Sequence, residues 1–445
     1  MSLTSILTSA GAALTTAQYR MSVAQTNVAN VDDETYSRKT VTTTATSITS
    51  AVSNGAVTRA ADRYLSQAVV ASASAASRDS VTDTYMQAYD ASLGSVDGGD
   101  DIASLLDAFQ SAISGLASEP SSTSAKAQVV SAASQVAETL NSLSGDLQAL
   151  RTQANTEIAS TVEAINTSLS TLKSLNDQIV TTSAQGGDVT TLEDQRAAEL
   201  STLSSMIGIT NYTTSDNRVA IYTSSGDQLL GASAAKLSYT ASSSLSADTL
   251  YPGSISGITL NGKDVTTRVT GGALGALVTL RDQTLTGEQD ALDSLAAGLI
   301  SQVNAVSAGL FSGSDAGDIA VSASLLADPS SLTSDQTLAT ALISVLTSPV
   351  SFNAAGELAA GQSSLLDYAA SFVSTAATTI ADAAEQAESS SATHEAAATR
   401  LANLIAVNLD EELAMLEIYE QGYQANAQLM SMVQDLFDAL ISMVS

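Results

Sequence analysis

Residues 3–30 read LTSILTSAGAALTTAQYRMSVAQTNVAN, and within them Leu3, Leu7, Ala10, Leu14, Ala17, Met21, Ala24 and Val28 follow one another in alternating steps of four and three. That spacing predicts one helix with a heptad seam. From Ala10 onward every second seam position is Ala, which buries far less than the roughly 1.5–3 kcal/mol of a full Leu or Val side chain. The helix therefore needs a partner, and its order comes from packing rather than from propensity. The last forty or so residues repeat the pattern with bulkier side chains. Leu409, Leu416, Tyr419, Tyr423, Met430, Val433, Phe437, Leu440 and Val444 keep step, and Glu412 and Asn426 fall on the same stripe. No Lys or Arg follows Arg400, whereas Asp410, Glu411, Glu412, Glu417, Glu420, Asp435 and Asp438 make this helix strongly acidic. Two amphipathic helices at opposite chain ends suggest that the termini meet, since each stripe needs a partner to leave water. An ordinary two-helix contact in a monomer fits the periodicity equally well.

Between the ends, Tyr36 to Val57 is rich in Thr and Val, with Asn54-Gly55 as a hairpin turn signal. A helix is expected from Ala61 into the nineties, stopping where the glycines of Val96-Asp97-Gly98-Gly99-Asp100-Asp101 break the period and an Asp can cap the next helix. After Glu119-Pro120 a long helical run is predicted from about Ser124 to Ile179. Its seam is Val136, Leu140, Leu143, Leu147, Leu150 and Ala154, then Ile158, Val162, Ile165, Leu169 and Leu172, with a stutter near Ile158. Leu192 to Met206 reads as a further helix. From Ile209 the period turns to two in places, with turns at Gly226, Pro252 and Asn261, giving a β segment that ends near Val269. Leu274 to Leu310 is helical again, Phe311 to Gly361 is a small insertion with no clear period, and helices resume at Ser364. The fold class is mainly α with β insertions: paired N- and C-terminal coiled-coil helices (1–35 with 402–445), a long helical-bundle domain (36–208, 271–310 and 362–401), a β-rich segment (209–270) and a small variable insertion (311–361).

Composition removes whole classes of function. Sixteen Lys and Arg against forty-six Asp and Glu leave a formal charge of -30 over 445 residues, which argues against nucleic acid and against anionic membrane surfaces as partners. There is no Cys, and His394 is the only histidine, so there is no disulfide framework, thiolate nucleophile or cysteine metal site, and any His-dependent triad must use that one residue. Aromatics are 4% of the chain and Trp is missing, which suits long helices of small side chains better than a pocketed enzyme. No run of about 18 apolar residues predicts a membrane span. The first seventeen residues hold no Lys or Arg, unlike a cleavable secretory signal.

Several motifs invite chemistry and are better read otherwise. Asp97 to Asp101 lacks the spacing and the downstream Glu of a calcium loop, so it is a solvated turn with a helix cap. Ser170 with Lys173 and Ser233 with Lys236 match a Ser-x-x-Lys pattern, but Ser is abundant and Ser170 is expected mid-helix. Gly271 to Gly275 lacks the phosphate-binding spacing and reads as a close turn leading into a helix. His394, beside Glu395 in a polar helical stretch, reads as a surface residue. No catalytic residues, cofactor-binding residues or metal ligands are expected, and no cofactor.

Ala24-Gln25-Thr26-Asn27-Val28-Ala29-Asn30 followed by Tyr36-Ser37-Arg38, with Asn408-Leu409-Asp410-Glu411-Glu412 and Tyr423-Gln424-Ala425-Asn426-Ala427 near the other end, resembles the signature of the bacterial flagellar rod, hook and hook-associated axial proteins. Asn-Leu-Asp-Glu-Glu favours the hook–filament junction members of that family. Interior stretches agree: Arg59, Asp62, Tyr64 and Leu65; Glu119-Pro120-Ser121-Ser122; Ile165-Asn166; Leu175-Asn176-Asp177-Gln178-Ile179; Leu192-Glu193-Asp194-Gln195-Arg196; Gly271-Gly272-Ala273-Leu274-Gly275 with Arg281; and Val303-Asn304. The chain departs from the family at Thr35, where a Gly usually precedes Tyr36, and at Ser307, where a His is usual.

The resemblance implies uncleaved export by the flagellar type III apparatus and assembly at the distal end of the hook. It places the terminal helices inward and the β-rich parts outward in an elongated subunit. The implied partners are copies of itself in a helical assembly, hook protein, hook-associated protein 3, and a flagellar export chaperone at the C-terminal helix, where Tyr423, Phe437 and Leu440 would otherwise invite aggregation. The expected assembly interface is Leu3, Leu7, Leu14, Met21, Asn27, Val28 and Asn30 with Leu409, Leu416, Tyr419, Tyr423, Asn426, Met430, Val433, Phe437 and Leu440. Asn27 and Asn30 carry two readings, a helix end that tolerates left-handed geometry and a turn that contacts neighbouring subunits. Glu412 and Asn426 are either register-setting polar seam positions or simply exposed. The alternatives are another axial protein (hook protein or hook-associated protein 3), a secreted coiled-coil adhesin and, last, a Ser/Lys hydrolase.

Overall fold

A computed structural model describes residues 3–33, 35–42, 56–95, 97–307, 309–333 and 335–444. The chain runs α1 (Leu3–Ala29), β1 (Lys39–Val41), β2 (Val57–Arg59), α2 (Arg63–Leu93), α3 (Ile102–Ser118), α4 (Thr123–Ala184) and α5 (Thr190–Met206). Next come β3 (Ile209–Thr213), β4 (Val219–Thr223) and β5 (Gln228–Leu230), then β6 (Leu237–Ser238), β7 (Thr259–Leu260) and β8 (Lys263–Asp264), each trio an antiparallel sheet in chain order. α6 (Gly272–Thr279) continues through a π-helical turn, Leu280–Thr284, into α7 (Leu285–Val306). β9 (Phe311–Ser312), β10 (Ala320–Val321), α8 (Ala323–Ala327), α9 (Gln336–Thr347), β11 (Val350–Phe352) and β12 (Gly361–Ser363) precede α10 (Leu365–Ile405) and α11 (Leu409–Val444). The architecture is mainly helical with small sheets and long terminal helices. Among the described residues no helix is long and apolar enough to cross a membrane.

The helix starts follow from capping chemistry. Asp62 accepts from the amides of Tyr64 and Leu65, Asp101 from those of Ala103 and Ser104, and Ser364 from that of Asp367. The expected hairpin turn at Asn54-Gly55 lies outside the described residues, while the strands on either side pair antiparallel with Lys39 opposite Arg59. At the start of α6, Gly272 has φ +65°, and a Cβ there would stand 2.4 Å from the amide nitrogen of Ile207, so the close turn admits only glycine.

α4, 62 residues long, spans about 90 Å at 1.5 Å per residue. Its stripe of Val136, Leu140, Leu143, Leu147, Ala154, Ile158, Val162, Ile165, Leu169 and Leu172 is buried throughout. One position of the expected seam is displaced: Leu150 is only half-buried, and the seam passes through Arg151, which is fully buried. The side chain is tolerated there because each of its three nitrogens donates, in four hydrogen bonds altogether. Nε donates to the carbonyl of Arg281 (3.2 Å), Nη1 to Gln148 Oε1 (2.7 Å) and the carbonyl of Ser246 (3.0 Å), and Nη2 to the carbonyl of Thr249 (2.6 Å). The acceptor on Arg281 sits in the π-helical turn, where the regular carbonyl ladder is interrupted.

Asparagines along α4 fasten the β-rich segment. Asn166 both donates to and accepts from the backbone of Leu237 (2.8 and 2.9 Å), Asn176 does the same with Val219 (2.9 and 3.0 Å), and Asn155 donates to the carbonyl of Ser242 (2.8 Å). The Asn166 and Asn176 amides pair with β6 and β4 as another strand would, and Asn155 adds a single backbone bond to the loop after β6. Residues 311–361 are held against the bundle by Phe109 on Phe311 (edge-to-face, 6.0 Å between ring centres) and by Asn304, which donates to and accepts from the backbone of Phe311. The segment's strands are only two or three residues long and carry no period, while α9, twelve residues long with Ala339, Leu342 and Leu346 buried, is a helix that the sequence reading did not separate from the insertion.

His394 is half-buried, with Nδ1 3.1 Å from Ser72 Oγ on α2. Lys173 is paired with Asp177 at 2.8 Å, so its charge is engaged by a carboxylate rather than by Ser170.

Among the buried carboxyls, Glu288 on α7 has its Oε2 accept from the Tyr89 hydroxyl at 2.9 Å. Burial pushes its pKa above the ordinary value. A carboxyl whose folded pKa is raised binds its proton more tightly in the folded state, so stability falls as pH climbs from the unfolded toward the folded pKa. Glu288→Gln keeps an acceptor for Tyr89. It is expected to raise the urea midpoint at pH 7 and to change it much less at pH 4; equal shifts at both pH values would contradict this account.

Candidate assembly site

α1 and α11 pair antiparallel. Gly11 faces Met430, the Gln18 amide donates to the Tyr423 hydroxyl at 3.4 Å, and the Arg20 guanidinium lies 5.7 Å from the centre of the Tyr419 ring. The contact is thin, as the Ala-rich seam requires. On α1, Ala10 and Ala24 are buried and Leu3, Leu7, Leu14, Met21 and Val28 are half-buried. On α11, Leu416, Tyr419, Tyr423, Asn426, Met430 and Phe437 are half-buried and Val433 is buried, while Leu409 and Leu440 are exposed. A second apolar row on α11 remains in water, including Ile418 at 59% and Met432 at 64% exposure. Contiguous exposed apolar surface of this kind marks an interaction site.

The polar members of the stripe behave differently from expectation. Asn27 is 1% exposed. Its Nδ2 donates to the carbonyl of Lys39 (2.9 Å), and its Oδ1 accepts from the amide of Lys39 (3.0 Å) and the hydroxyl of Tyr36 (2.8 Å). Its amide is spent inside the chain, on the turn that follows α1. Asn30 does not use left-handed geometry; its side-chain amide donates to the carbonyl of Thr26 at 2.7 Å and closes the helix end that way. Thr35, standing where the family has glycine, gives its amide and its hydroxyl to Asp33 Oδ1 (2.9 and 2.7 Å), so the turn is closed by a side chain. Asn426 donates to the carbonyl of Gly422 in its own helix (2.8 Å).

Glu412 is buried rather than exposed, and is held by Arg38. Arg38 Nε lies 2.8 Å from Glu412 and Nη1 3.1 Å from Glu411, and the Arg38 amide donates to the carbonyl of Ile405 at 2.7 Å. One residue thus fixes both the end of α10 and the start of α11. Beside it, Lys39 Nζ donates to Thr191 Oγ1 (2.7 Å), lies over the Tyr36 ring (4.6 Å to its centre) and stands 4.0 Å from Asp194. Arg59 bridges Asp194 (3.1 Å) and Glu193 (3.2 Å). Burial, reinforced by the Asp194 carboxylate, pushes the Tyr36 phenol above its ordinary pKa and keeps it a donor to Asn27.

Stretches far apart in sequence, Asn27 to Lys39, Arg59, Glu193-Asp194 and Glu411-Glu412, therefore meet in one ionic joint. It lies between the terminal helix pair and the bundle. Sequence reasoning did not identify Lys39 or Thr191, nor Arg38 as the partner of Glu412. The available signal was scarcity: three of the sixteen cationic side chains of a chain at -30 lie in Arg38, Lys39 and Arg59.

The chain is thus a bundle built on one long helix, closed by a thin antiparallel pair of end helices that is joined to it by ion pairs. Among the described residues no group of three or more His, Asp or Glu is placed to hold a metal. Comparison with known families supplies an assignment. The model of the flagellar hook-associated protein FlgK helical domain matches residues 86–319, just over half of the chain, and the chain belongs to that family. The family is one of structural flagellar proteins, not of enzymes. The matched span leaves out both terminal helices. Four chains of solved structures match. One, the flagellar hook junction protein FlgK from Burkholderia pseudomallei, is 27% identical with a TM-score of 0.47, over 55% of this chain and 44% of that one, so the present chain spans less than half of that protein's length. No curated protein matches.

Removing the Asn27 side chain leaves the amide and carbonyl of Lys39 and the Tyr36 hydroxyl without partners. Asn27→Ala is expected to cost about 3 kcal/mol, summed over groups each worth about 1–3 kcal/mol. Faster amide exchange should be confined to residues 24–41 and the start of α11, while α4 keeps its protection. Unchanged exchange at the joint would show that Asn27 does not hold it.

Proposed function

We propose that this chain is a structural subunit of the junction between flagellar hook and filament, exported by the flagellar type III system and built into the axial assembly through α1 and α11. The observation that carries this reading is the uncovered apolar row of α11 beside a seam too thin to keep the pair rigid alone. Subunits meeting head-to-tail through unlike surfaces form open helical arrays, and other copies of the chain supply the missing cover. Hook protein on one side and hook-associated protein 3 on the other are the flanking partners. The proposed working units are the terminal pair (1–35 with 402–445), the helical domain (36–208, 271–310 and 362–401), the β-rich segment (209–270) and the insertion (311–361). The proposed interface is Leu3, Leu7, Leu14, Met21, Asn27, Val28 and Asn30 with Leu409, Leu416, Tyr419, Tyr423, Asn426, Met430, Val433, Phe437 and Leu440, Asn27 serving it by holding the turn after α1 in place.

Leu14→Asp and Phe437→Asp each place a charge on the seam. Both should leave the thermal unfolding of the bundle intact while lowering incorporation onto hooks by about tenfold or more, equivalent to at least about 1.4 kcal/mol of docking free energy. Normal incorporation of both variants would refute the reading. Labelling of purified flagella should place the protein in a narrow band at the distal end of the hook; labelling along the whole hook would make it a hook protein instead.

Before export, the apolar row of α11 needs protection, and a chaperone binding the C-terminal helix would provide it. Deleting the residues after Asn408 should abolish chaperone binding in a pull-down, and full binding by the shortened chain would exclude α11 as the chaperone site.

A further inference from the structure

The two terminal helices carry opposite kinds of outer face. In α11 the row facing α1 includes Tyr419, Tyr423, Asn426, Met430, Val433 and Phe437. One residue earlier at every step runs a second heptad row, Ile418, Gly422, Ala425, Leu429, Met432 and Leu436. At about 100° per residue the two rows lie side by side on the helix. Leu429 and Leu436 are 41% and 50% exposed and, like Ile418 and Met432, face solvent among the described residues. Glu417, Glu420, Asp435 and Asp438 fall outside both rows, and α11 has no cation at all. A helix with two apolar rows of this kind contacts two helices, and the chain supplies one of them.

α1 is complementary. It has no carboxylate, and Arg20 is its only charge. Its outer face presents Thr4, Thr8, Thr15, Ser22 and Thr26, all exposed. The hydroxyls of Thr8, Thr15 and Thr26 donate to the carbonyls of Thr4, Gly11 and Ser22 in their own helix, at 2.9, 3.1 and 2.9 Å. Their polar atoms are already satisfied, so the methyl groups are free to meet an apolar partner.

We propose that the second apolar row of α11 docks on the threonine face of α1 in a neighbouring copy. Charge selects this occupant over α11 of the neighbour. Helices in contact lie about 8–10 Å apart, within reach of charges screened over about 8 Å. Two α11 helices side by side would bring two cation-free acidic helices together, whereas α1 brings no carboxylate. The docked surfaces are unlike, so each copy offers one donor and one acceptor face and the contact propagates. This inference rests on the reading of the chain as an axial assembly subunit and specifies which helix of one copy meets which helix of the next.

The chain has no cysteine, so introduced thiols report the contact without background. Met432→Cys or Ile418→Cys would be co-expressed as full-length chain with Thr8→Cys or Thr15→Cys, and isolated flagella oxidised. A disulfide-linked dimer should form in at least one mixed pair, about tenfold above either variant alone, because the bond requires Cβ atoms about 3.5–4.5 Å apart. Equal dimer from Met432→Cys alone would mean that α11 meets α11 and would overturn the inference. So would flagella that contain the subunit but yield no dimer from any mixed pair, and in both cases the axial reading would survive. Flagella without the subunit would overturn the axial reading and this inference together.

Discussion

The buried stripe of α4 is what the rest of the chain is fastened to. Aromatics are scarce and Ala, Ser and Thr abundant, so no compact centre of large side chains is available. Apolar burial is instead spread along about 90 Å of helix. The stripe alone would not specify what lies on it, because one aliphatic row accepts another in many registers. Register comes from polar atoms that admit one arrangement. Asn155, Asn166 and Asn176 each bond the backbone of the β-rich segment at a single place, and Arg151 ties the chain around Ser246 and Thr249 to the π-helical turn. Buried polar groups are costly when left unpaired, so their satisfaction excludes alternative dockings more strongly than apolar packing does.

The same logic operates at the joint, with charges in place of amides. The terminal pair buries little apolar surface, and among the described residues only Glu412 and Val433 of α11 are buried. Direction is supplied by Arg38, which grips the end of α10 through its amide and the start of α11 through its guanidinium, and by Asn27, which locks the end of α1 to Lys39. Removing one partner of such a pair leaves the other buried and unmatched, which is more damaging than never having buried either. Orientation of the ends is therefore set by a few side chains, and cohesion between them by a thin seam.

The parts legible in sequence were those with a long period or a strong local cap. The α1 and α11 seams, most of the α4 stripe and the Asp101 and Ser364 starts belong here, because helical spacing and capping act within a few residues. Arg151 was not legible: an arginine in an apolar seam reads as a surface residue until the carbonyls that satisfy it, nearly a hundred residues and more away, are in place. Glu412 failed to reveal its burial for the same reason, since its partner lies 374 positions earlier. The joint was visible only as scattered family-like stretches, and nothing local showed that Asn27, Arg59, Asp194 and Glu412 meet. Residues 311–361 were obscure because strands of two or three residues carry no period, and because the apolar positions of α9, Ala339, Leu342 and Leu346, cover barely two turns among Ser, Asp and Pro.

A firm joint with loose ends is what a subunit that docks by its ends requires. If the α1–α11 seam were made of Leu at every position, the pair would be complete before meeting a neighbour, and little apolar surface would be left to drive association. With Ala at alternate seam positions the helices come close but bury little, and the second row of α11 stays exposed. Docking of that row, as proposed, would contribute to folding, because whatever binds the paired state stabilises it by mass action. The ionic joint meanwhile aims the pair, so that the conformational freedom lost on docking is mostly that of side chains rather than of whole helices. Weak cohesion and fixed direction are thus two halves of one arrangement, and weakening the joint would damage assembly even with both seams intact.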